Sequence, residues 1–191
     1  FTEMWPSDNT DPIERLFIQY GMSQVFPTKV QCAHVTTWNK KAPIKFRTNV
    51  AMMGKFGFDL NLHDLTKEEL AFCKQSIKDY NRLKSVILNG DQYRLVSPYE
   101  GNHTSTMFVG KGGKKAVVFS FDIHPRYNEK LLNVKMQGLD PAKKYEVREI
   151  NKFDCSVDDS KTFTGQYLMT VGLPIFTTKD LNSRIFEISS L

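Results

Sequence analysis

Between Asp11 and Leu88 the apolar positions switch between a helical and an extended rhythm, and after Asp91 they settle to a period of two. Asp11-Pro12-Ile13-Glu14 is a helix start, with Asp as N-cap, Pro at the first helical position and Glu placed to close a capping box. Ile13, Leu16, Phe17 and Tyr20 follow at helical spacing; Gly21 loosens the end of that helix and Pro27 stops it. A β-like run from Val30 to Thr37, a loop from Trp38 to Pro43, a short helix over Phe46 to Met53 and a strand over Phe56 to Leu60 come next. Thr66-Lys67-Glu68-Glu69 is a second capping box, its acids favoured by the positive end of the helix dipole. Leu70, Cys73, Ile77, Tyr80, Leu83 and Ile87 then mark one face of a long helix that Asn89-Gly90 ends.

The remainder reads as short strands: Tyr93 to Val96, Thr106 to Val109, Ala116 to Phe121, Leu131 to Met136, Lys144 to Ile150, Gly165 to Val171 and Ile185 to Ile188. Gly110-Lys111-Gly112-Gly113-Lys114 lies between two of them as a hairpin loop. The pattern therefore predicts an α/β piece over residues 1–89, followed over 90–191 by an all-β domain of the antiparallel sandwich type. No internal repeat or low-complexity tract interrupts it.

Composition narrows the class without naming a function. At 191 residues, 40% hydrophobic and 25% charged, the chain is an ordinary globular one, which excludes a disordered, collagen-like or coiled-coil protein. No apolar run approaches the roughly 18 residues that cross a bilayer, so no membrane partner is expected. Lys and Arg number 26 against 21 Asp and Glu, a net charge of +5, but the cations are scattered rather than striped and point to no nucleic acid. Cys32, Cys73 and Cys155 are an odd number at wide spacing, neither a disulfide framework nor a zinc pattern, and are read as buried free thiols. His34, His63, His103 and His124 are equally dispersed, so no metal site is legible. The chain opens on Phe1 without a basic-then-apolar leader; because it does not start at Met, that says nothing about the compartment of a longer parent.

Few segments carry chemistry. The glycine-rich run Gly110 to Lys115 is not a P-loop, since strands flank it on both sides and no Ser or Thr follows the lysine. Asn102-His103-Thr104 is a glycosylation sequon that matters only in a eukaryotic secreted protein. The N-terminal run is more informative. Met4-Trp5-Pro6-Ser7-Asp8-Asn9-Thr10-Asp11 puts an indole, a hydroxyl, an amide and two carboxylates directly before a helix. Asp11 has a structural duty as N-cap; Asp8 has none, and is either a solvated loop carboxylate or a ligand-facing group. Trp5 is either core or platform, and an indole beside a carboxylate suits a sugar site.

The run Trp5-Pro6-Ser7-Asp8-Asn9-Thr10-Asp11, with Arg15-Leu16, Ile18-Gln19-Tyr20-Gly21 and Ser23, resembles the α-galactosidases of glycoside hydrolase family 36, the melibiases. The resemblance continues in order through Ala33-His34-Val35, Phe56-Gly57-Phe58-Asp59-Leu60, Tyr93-Arg94-Leu95, Ser97-Pro98, Glu100-Gly101-Asn102, Gly138-Leu139-Asp140-Pro141 and Gly165-Gln166-Tyr167-Leu168-Met169, closing at Gly172-Leu173. It implies that residues 1–89 are the last strands and helices of a catalytic (β/α)₈ barrel and residues 90–191 the C-terminal β-sandwich. It also implies a retaining hydrolase of terminal α-galactosides, working without metal or cofactor and homo-oligomeric as the whole enzyme. Asp8 takes the position of the family's acid/base aspartate, and Trp5 that of a residue lining the galactose pocket. Retention needs two carboxyl groups roughly 5–5.5 Å apart. The nucleophile of the resemblance would precede Phe1, and Asp59, at a strand end, is not read as a substitute. The 191 residues alone are therefore expected to be inactive. A second reading, from a different class, is a non-catalytic β-sandwich module that binds carbohydrate or serves assembly. Its aromatics would come from Tyr93, Tyr99, Tyr127, Tyr145 and Tyr167.

Overall fold

The computed structural model describes residues 2–153 and 159–191. Its first part is built from parallel segments joined by helices. Strand β1 (Cys32–Val35) pairs in parallel with β2 (Lys55–Phe58), from Cys32 opposite Lys55 to Val35 opposite Phe58. On the other flank Met4 bridges Gln31, also in parallel, through Met4 N–H to Val30 O at 2.6 Å and Cys32 N–H to Met4 O at 2.9 Å. Parallel neighbours need a crossover, and each is a helix: α1 (Pro12–Met22) between the Met4 bridge and β1, and α2 (Ile44–Ala51) between β1 and β2. Helix α3 (Lys67–Asn89) follows β2 and opens with the expected capping box, Thr66 Oγ1 accepting from Glu69 N–H and Glu69 Oε2 from Thr66 N–H.

The second part is one antiparallel sheet in the order β3-β4-β5-β8-β6-β7. Its strands are β3 (Asp91–Val96), β4 (His103–Val109), β5 (Lys115–Asp122), β6 (Lys144–Ile150), β7 (Lys161–Thr164) and β8 (Asn182–Ser190). The hairpin at Gly110–Lys114 forms where expected, with Val109 opposite Ala116 and left-handed backbone at Gly112 and Gly113. Both faces of the central strands are covered. Phe108, Val117, Phe119 and Phe121 meet Leu16 of α1, Phe46 of α2 and Leu83 and Ile87 of α3. On the opposite face Met107, Val118, Phe186 and Ile188 meet Met136, Leu139, Leu168 and Ile175. One hydrophobic cluster thus runs across the turn at Asn89-Gly90. It is cross-linked by buried amides: Asn49 Nδ2 of α2 donates to Ser183 Oγ at 3.0 Å, Asn151 Nδ2 to Asn49 Oδ1 at 2.5 Å, and Ser76 Oγ of α3 to Asn151 Oδ1 at 2.7 Å.

Several expectations need correction. Among the described residues the strands after Gly90 make a single sheet rather than two facing ones; the layer over its second face is irregular chain and one short helix. Leu131 to Met136 forms no strand, only the bridge of Val134 to Leu173. Gly165 to Val171 is not extended: helix α4 (Gly165–Thr170) forms there, capped by Thr164 Oγ1 accepting from Tyr167 N–H at 3.1 Å. Its apparent alternation misleads because Leu168 goes inward while Tyr167 stacks on Phe163 near the surface. In α3, Ile77 is exposed and Ser76 is buried in its place, because the Ser76 hydroxyl completes the amide network. In α1 the Asp11 N–H is satisfied by Asn9 Oδ1 at 2.9 Å rather than by Glu14. Cys73 is buried, Cys32 only partly so, and Cys155 lies outside the described residues.

Candidate active site at the ends of the parallel segments

Because Met4, β1 and β2 run parallel, the loops that leave them, residues 5–11, 36–43 and 59–66, emerge at one end of the pair. That end is where α/β architectures collect functional groups. The first loop is fixed by its own polar side chains. Asn9 N–H donates to Ser7 Oγ at 3.0 Å, and Asp11 Oδ1 accepts from Ile13 N–H at 2.9 Å and Glu14 N–H at 3.1 Å, the predicted cap. Its second oxygen accepts from Asn39 Nδ2 at 2.7 Å, across to the loop after β1. Asn39 sits at φ 47°, a left-handed conformation that Asn tolerates better than most residues. Thr10 Oγ1 and Thr36 Oγ1 share a 2.7 Å hydrogen bond, and Thr36 Oγ1 also accepts from Trp38 N–H at 3.2 Å.

Beneath this layer lies Arg15, buried, with Nη1 on Ser7 O at 3.3 Å and Nη2 on Cys32 O at 3.2 Å. Burial pulls its pKa below the usual guanidinium value, with Cys32 acting in the opposite sense. The guanidinium ties the loop backbone to β1.

Asp8 stands at the crest of the loop, exposed and without a capping duty. Its Oδ1 accepts from Trp5 Nε1–H at 3.0 Å. Trp5 is 53% exposed, and its ring lies over His34 of β1, centroids 4.5 Å apart at 31°. His34 Nε2 is 3.9 Å from Asp59 Oδ2, whose side chain is 82% exposed. Burial lowers the His34 pKa first, the Arg15 cation lowers it further and Asp59 pulls the other way; the net direction is down, which favours the neutral imidazole. An exposed carboxyl held beside an accessible indole can donate or accept a proton next to the apolar face of a sugar ring. A double displacement needs a second carboxyl facing the first. Asp59, the other carboxylate at these loop ends, has its Oδ2 on the side of His34 Nε2.

Trp5 and Asp8, the two residues singled out from the sequence, are thus brought together. His34, Arg15, Thr36 and Asn39 were not singled out. Arg15 and His34 do fall within the stretches that carry the family resemblance, without a role attached to either. Of the tyrosines, Tyr145 is buried, donating to Gly113 O at 2.9 Å, Tyr99 packs edge-on against Phe17 and Tyr20, and Tyr167 stacks on Phe163, so these three are engaged in separate packings.

Comparison with known proteins agrees with this layout. Residues 1–90 match the Melibiase family model, and residues 103–188 match the glycosyl hydrolase family 36 C-terminal domain. The probable alpha-galactosidase C of Aspergillus terreus is 35% identical over 191 residues, covering 97% of this chain and 24% of its own length. The crystal structure of the GH36 alpha-galactosidase AgaB from Geobacillus stearothermophilus superposes with a TM-score of 0.87 at 32% identity, over 99% of this chain and 26% of that one. A variant of AgaA from the same organism, crystallised in complex with raffinose, gives 0.86 at 31% identity over 97% and 25%. The chain spans about a quarter of the length of the curated relatives it matches. With one family model on the helical half and another on the sheet, in chain order, and with relatives aligned along nearly its whole length, the chain belongs to glycoside hydrolase family 36.

Proposed function

We propose that the whole protein is a retaining α-galactosidase that removes terminal α-linked galactose, and that residues 1–89 are the end of its catalytic (β/α)₈ barrel, with residues 90–191 the C-terminal β domain. Asp8 is the acid/base: it protonates the glycosidic oxygen as the bond to the leaving group breaks, then takes a proton from the water that releases the sugar. Trp5 is a wall of the galactose subsite. The nucleophilic carboxylate comes from chain preceding Phe1, on an earlier barrel strand, so the 191 residues alone do not turn over. The observation that carries this reading is the Trp5–Asp8 pair, bonded at 3.0 Å and held at the ends of parallel segments by a loop whose other polar groups are occupied. Family relatives named as alpha-galactosidases, one of them crystallised with raffinose, support the substrate class.

The test is initial-rate hydrolysis of an aryl α-galactoside by the full-length protein, by its Asp8→Asn variant and by the 191-residue chain. The full-length protein is expected to be active, the variant to lose about 10²–10⁴-fold on substrates that need protonic assistance, and the short chain to be silent. Full activity in Asp8→Asn refutes the acid/base assignment. Turnover by the short chain refutes the missing nucleophile. Light scattering on the full-length protein tests the accompanying proposal that it is a homo-oligomer.

A further inference from the structure

We propose that His34 is a positioning residue for the acid/base: its imidazole plane is the floor that fixes the Trp5 indole, and the indole in turn fixes the Asp8 carboxyl. This rests on the reading of Asp8 as acid/base.

Among the described residues, the Asp8 side chain has one hydrogen-bond partner, Trp5 Nε1–H at 3.0 Å. Both residues are exposed, Trp5 by 53%, so neither gives the other a fixed reference. Left to themselves, an exposed indole and the carboxylate three residues on would reorient together. The reference has to come from a third group tied to the backbone frame, and His34 is that group. Its side chain is only 10% exposed. Its backbone stands opposite Gly57 in the β1–β2 pair, one residue beyond the buried Ala33 and one before the buried Val35. Its ring faces Trp5 at 4.5 Å, tilted by 31°, close enough for a stacked contact. Order therefore passes from β1 to the imidazole, from the imidazole to the indole and from the indole N–H to the carboxyl.

Two charges flank the imidazole without a hydrogen bond to it. Asp59, at the end of β2, faces Nε2 at 3.9 Å, and the Arg15 cation, anchored on Ser7 O and Cys32 O, lies on its α1 side. His34 Nδ1 is buried and has no hydrogen-bond partner among the described residues. What His34 offers the site is a plane, not an acid.

A group that positions an acid leaves a particular kinetic signature. Proton donation matters most when the leaving group is a poor one and little when it departs unaided. Loss of the floor is expected to cost little with an activated aryl α-galactoside and progressively more as the leaving-group pKa rises. The experiment is kcat/KM for the full-length protein against α-galactosides spanning dinitrophenyl, nitrophenyl, phenyl and sugar leaving groups, with His34→Ala, His34→Phe and Asp8→Asn in parallel. We expect His34→Ala to lose about twofold or less on the dinitrophenyl substrate and about tenfold or more on the sugar substrate. The trend should follow that of Asp8→Asn at reduced amplitude. We expect His34→Phe, which keeps a plane without titratable nitrogens, to recover most of the loss. If His34→Ala does not fold, His34→Leu, which fills the space without a ring, carries the same comparison against His34→Phe. A loss of equal factor across all leaving groups overturns the inference, and so does a His34→Phe variant no better than alanine. If Asp8→Asn itself shows no leaving-group dependence, the acid/base reading fails and this inference with it. If Asp8→Asn shows the dependence and His34→Ala does not, only the inference fails.

Discussion

Replacing Asn49 by alanine tests how firmly the helices that carry the site are joined to the sheet behind them. Asn49 is fully buried in α2 and holds two partners at once, Ser183 Oγ of β8 at 3.0 Å and Asn151 Nδ2 at 2.5 Å. Alanine leaves both of those groups buried. A buried polar group that loses its partner costs about 1–3 kcal/mol, so two give about 2–6 kcal/mol. The better helix propensity of alanine returns at most about 0.7 kcal/mol. Asn151 Nδ2 keeps a weak contact to Met52 Sδ at 3.5 Å, which favours the lower half of the range. The expected destabilisation is about 2–4 kcal/mol, or a fall in Tm on the order of 10 °C for a chain of this size.

Urea unfolding measures it, with the midpoint shifted and the slope unchanged. The sharper check is a cycle with Ser183→Ala. If the amide and the hydroxyl act as a pair, the double variant is less destabilised than the two single losses added together, by about 1 kcal/mol or more. A single loss below about 1 kcal/mol, or additivity within about 0.5 kcal/mol, refutes the claim that this network joins the helices to the sheet.

Three further outcomes are expected. Glu187 is buried between Arg82, Lys115 and Arg148; burial pushes its carboxyl up, but bonds from Arg82 and Lys115, the Arg82 charge and the bond from Arg148 outweigh it and hold the pKa below its ordinary 4.5. Its stabilisation is therefore complete above the unfolded-state pKa and is lost as pH falls through the lower folded value. Glu187→Gln should cost about 2–3 kcal/mol at pH 7, less than for a wholly buried pair because the cations reach solvent, and should flatten the acid limb of a Tm–pH curve. His34, lowered from 6.5 first by burial and then by Arg15, with Asp59 opposing, binds fewer protons folded than unfolded. Stability should thus decline as pH falls below about 6.5 and level off below the folded pKa, and Tm measured from pH 7.5 to 5 should lose that decline in His34→Phe. Finally, Gly172 and Gly112 both have left-handed φ, 78° and 75°, but a Cβ at Gly172 would strike the Val134 carbonyl whereas at Gly112 it meets open space. Ala at Gly112 should cost about 1 kcal/mol and Ala at Gly172 more than about 2 kcal/mol, and equal losses in denaturant melts would refute the steric argument.

What could be read from the sequence was what is local in it. Thr66 and Glu69 are three residues apart, and their capping box forms as expected. Asp11 lies two and three residues from the N–H groups it caps. Trp5 and Asp8 fall within one loop, so their meeting needed no knowledge of the fold. Failures come where a distant partner decides. Gly165–Thr170 is helical because Gly165 N–H and Gln166 N–H find Lys143 O and Pro141 O, contacts that no local period encodes. Ser76 displaces Ile77 from the buried face because Asn151, 75 positions on, needs a hydroxyl there. The support of the site is of this second kind. His34 reaches Trp5 and Asn39 reaches Asp11 only once α1 has carried the chain from the Met4 bridge round to β1.

The same topology gives the antiparallel sheet a part in the site that its distance along the chain hides. Helix α1 holds the Asp8 loop through Arg15 on Ser7 O, with Asp11 as its cap. At its other end, Ser23 receives the Arg94 guanidinium of β3, Nε on Oγ at 2.8 Å and Nη2 on the carbonyl. Leu16 rests in the cluster that includes Phe119 and Phe121 of β5. The helix is therefore pinned at its C-terminal end by the sheet, along its length by the shared core and at its N-terminal end by Asn39. A loop anchored on a helix that could rock would carry Asp8 with it, and under the acid/base role proposed for Asp8 a displacement of about 1 Å can cost on the order of a hundredfold in rate. The sheet restrains that rocking. The contacts of Arg94 with Ser23 and of Leu16 with the shared core thus give the sheet a physical link to the loop that carries Asp8.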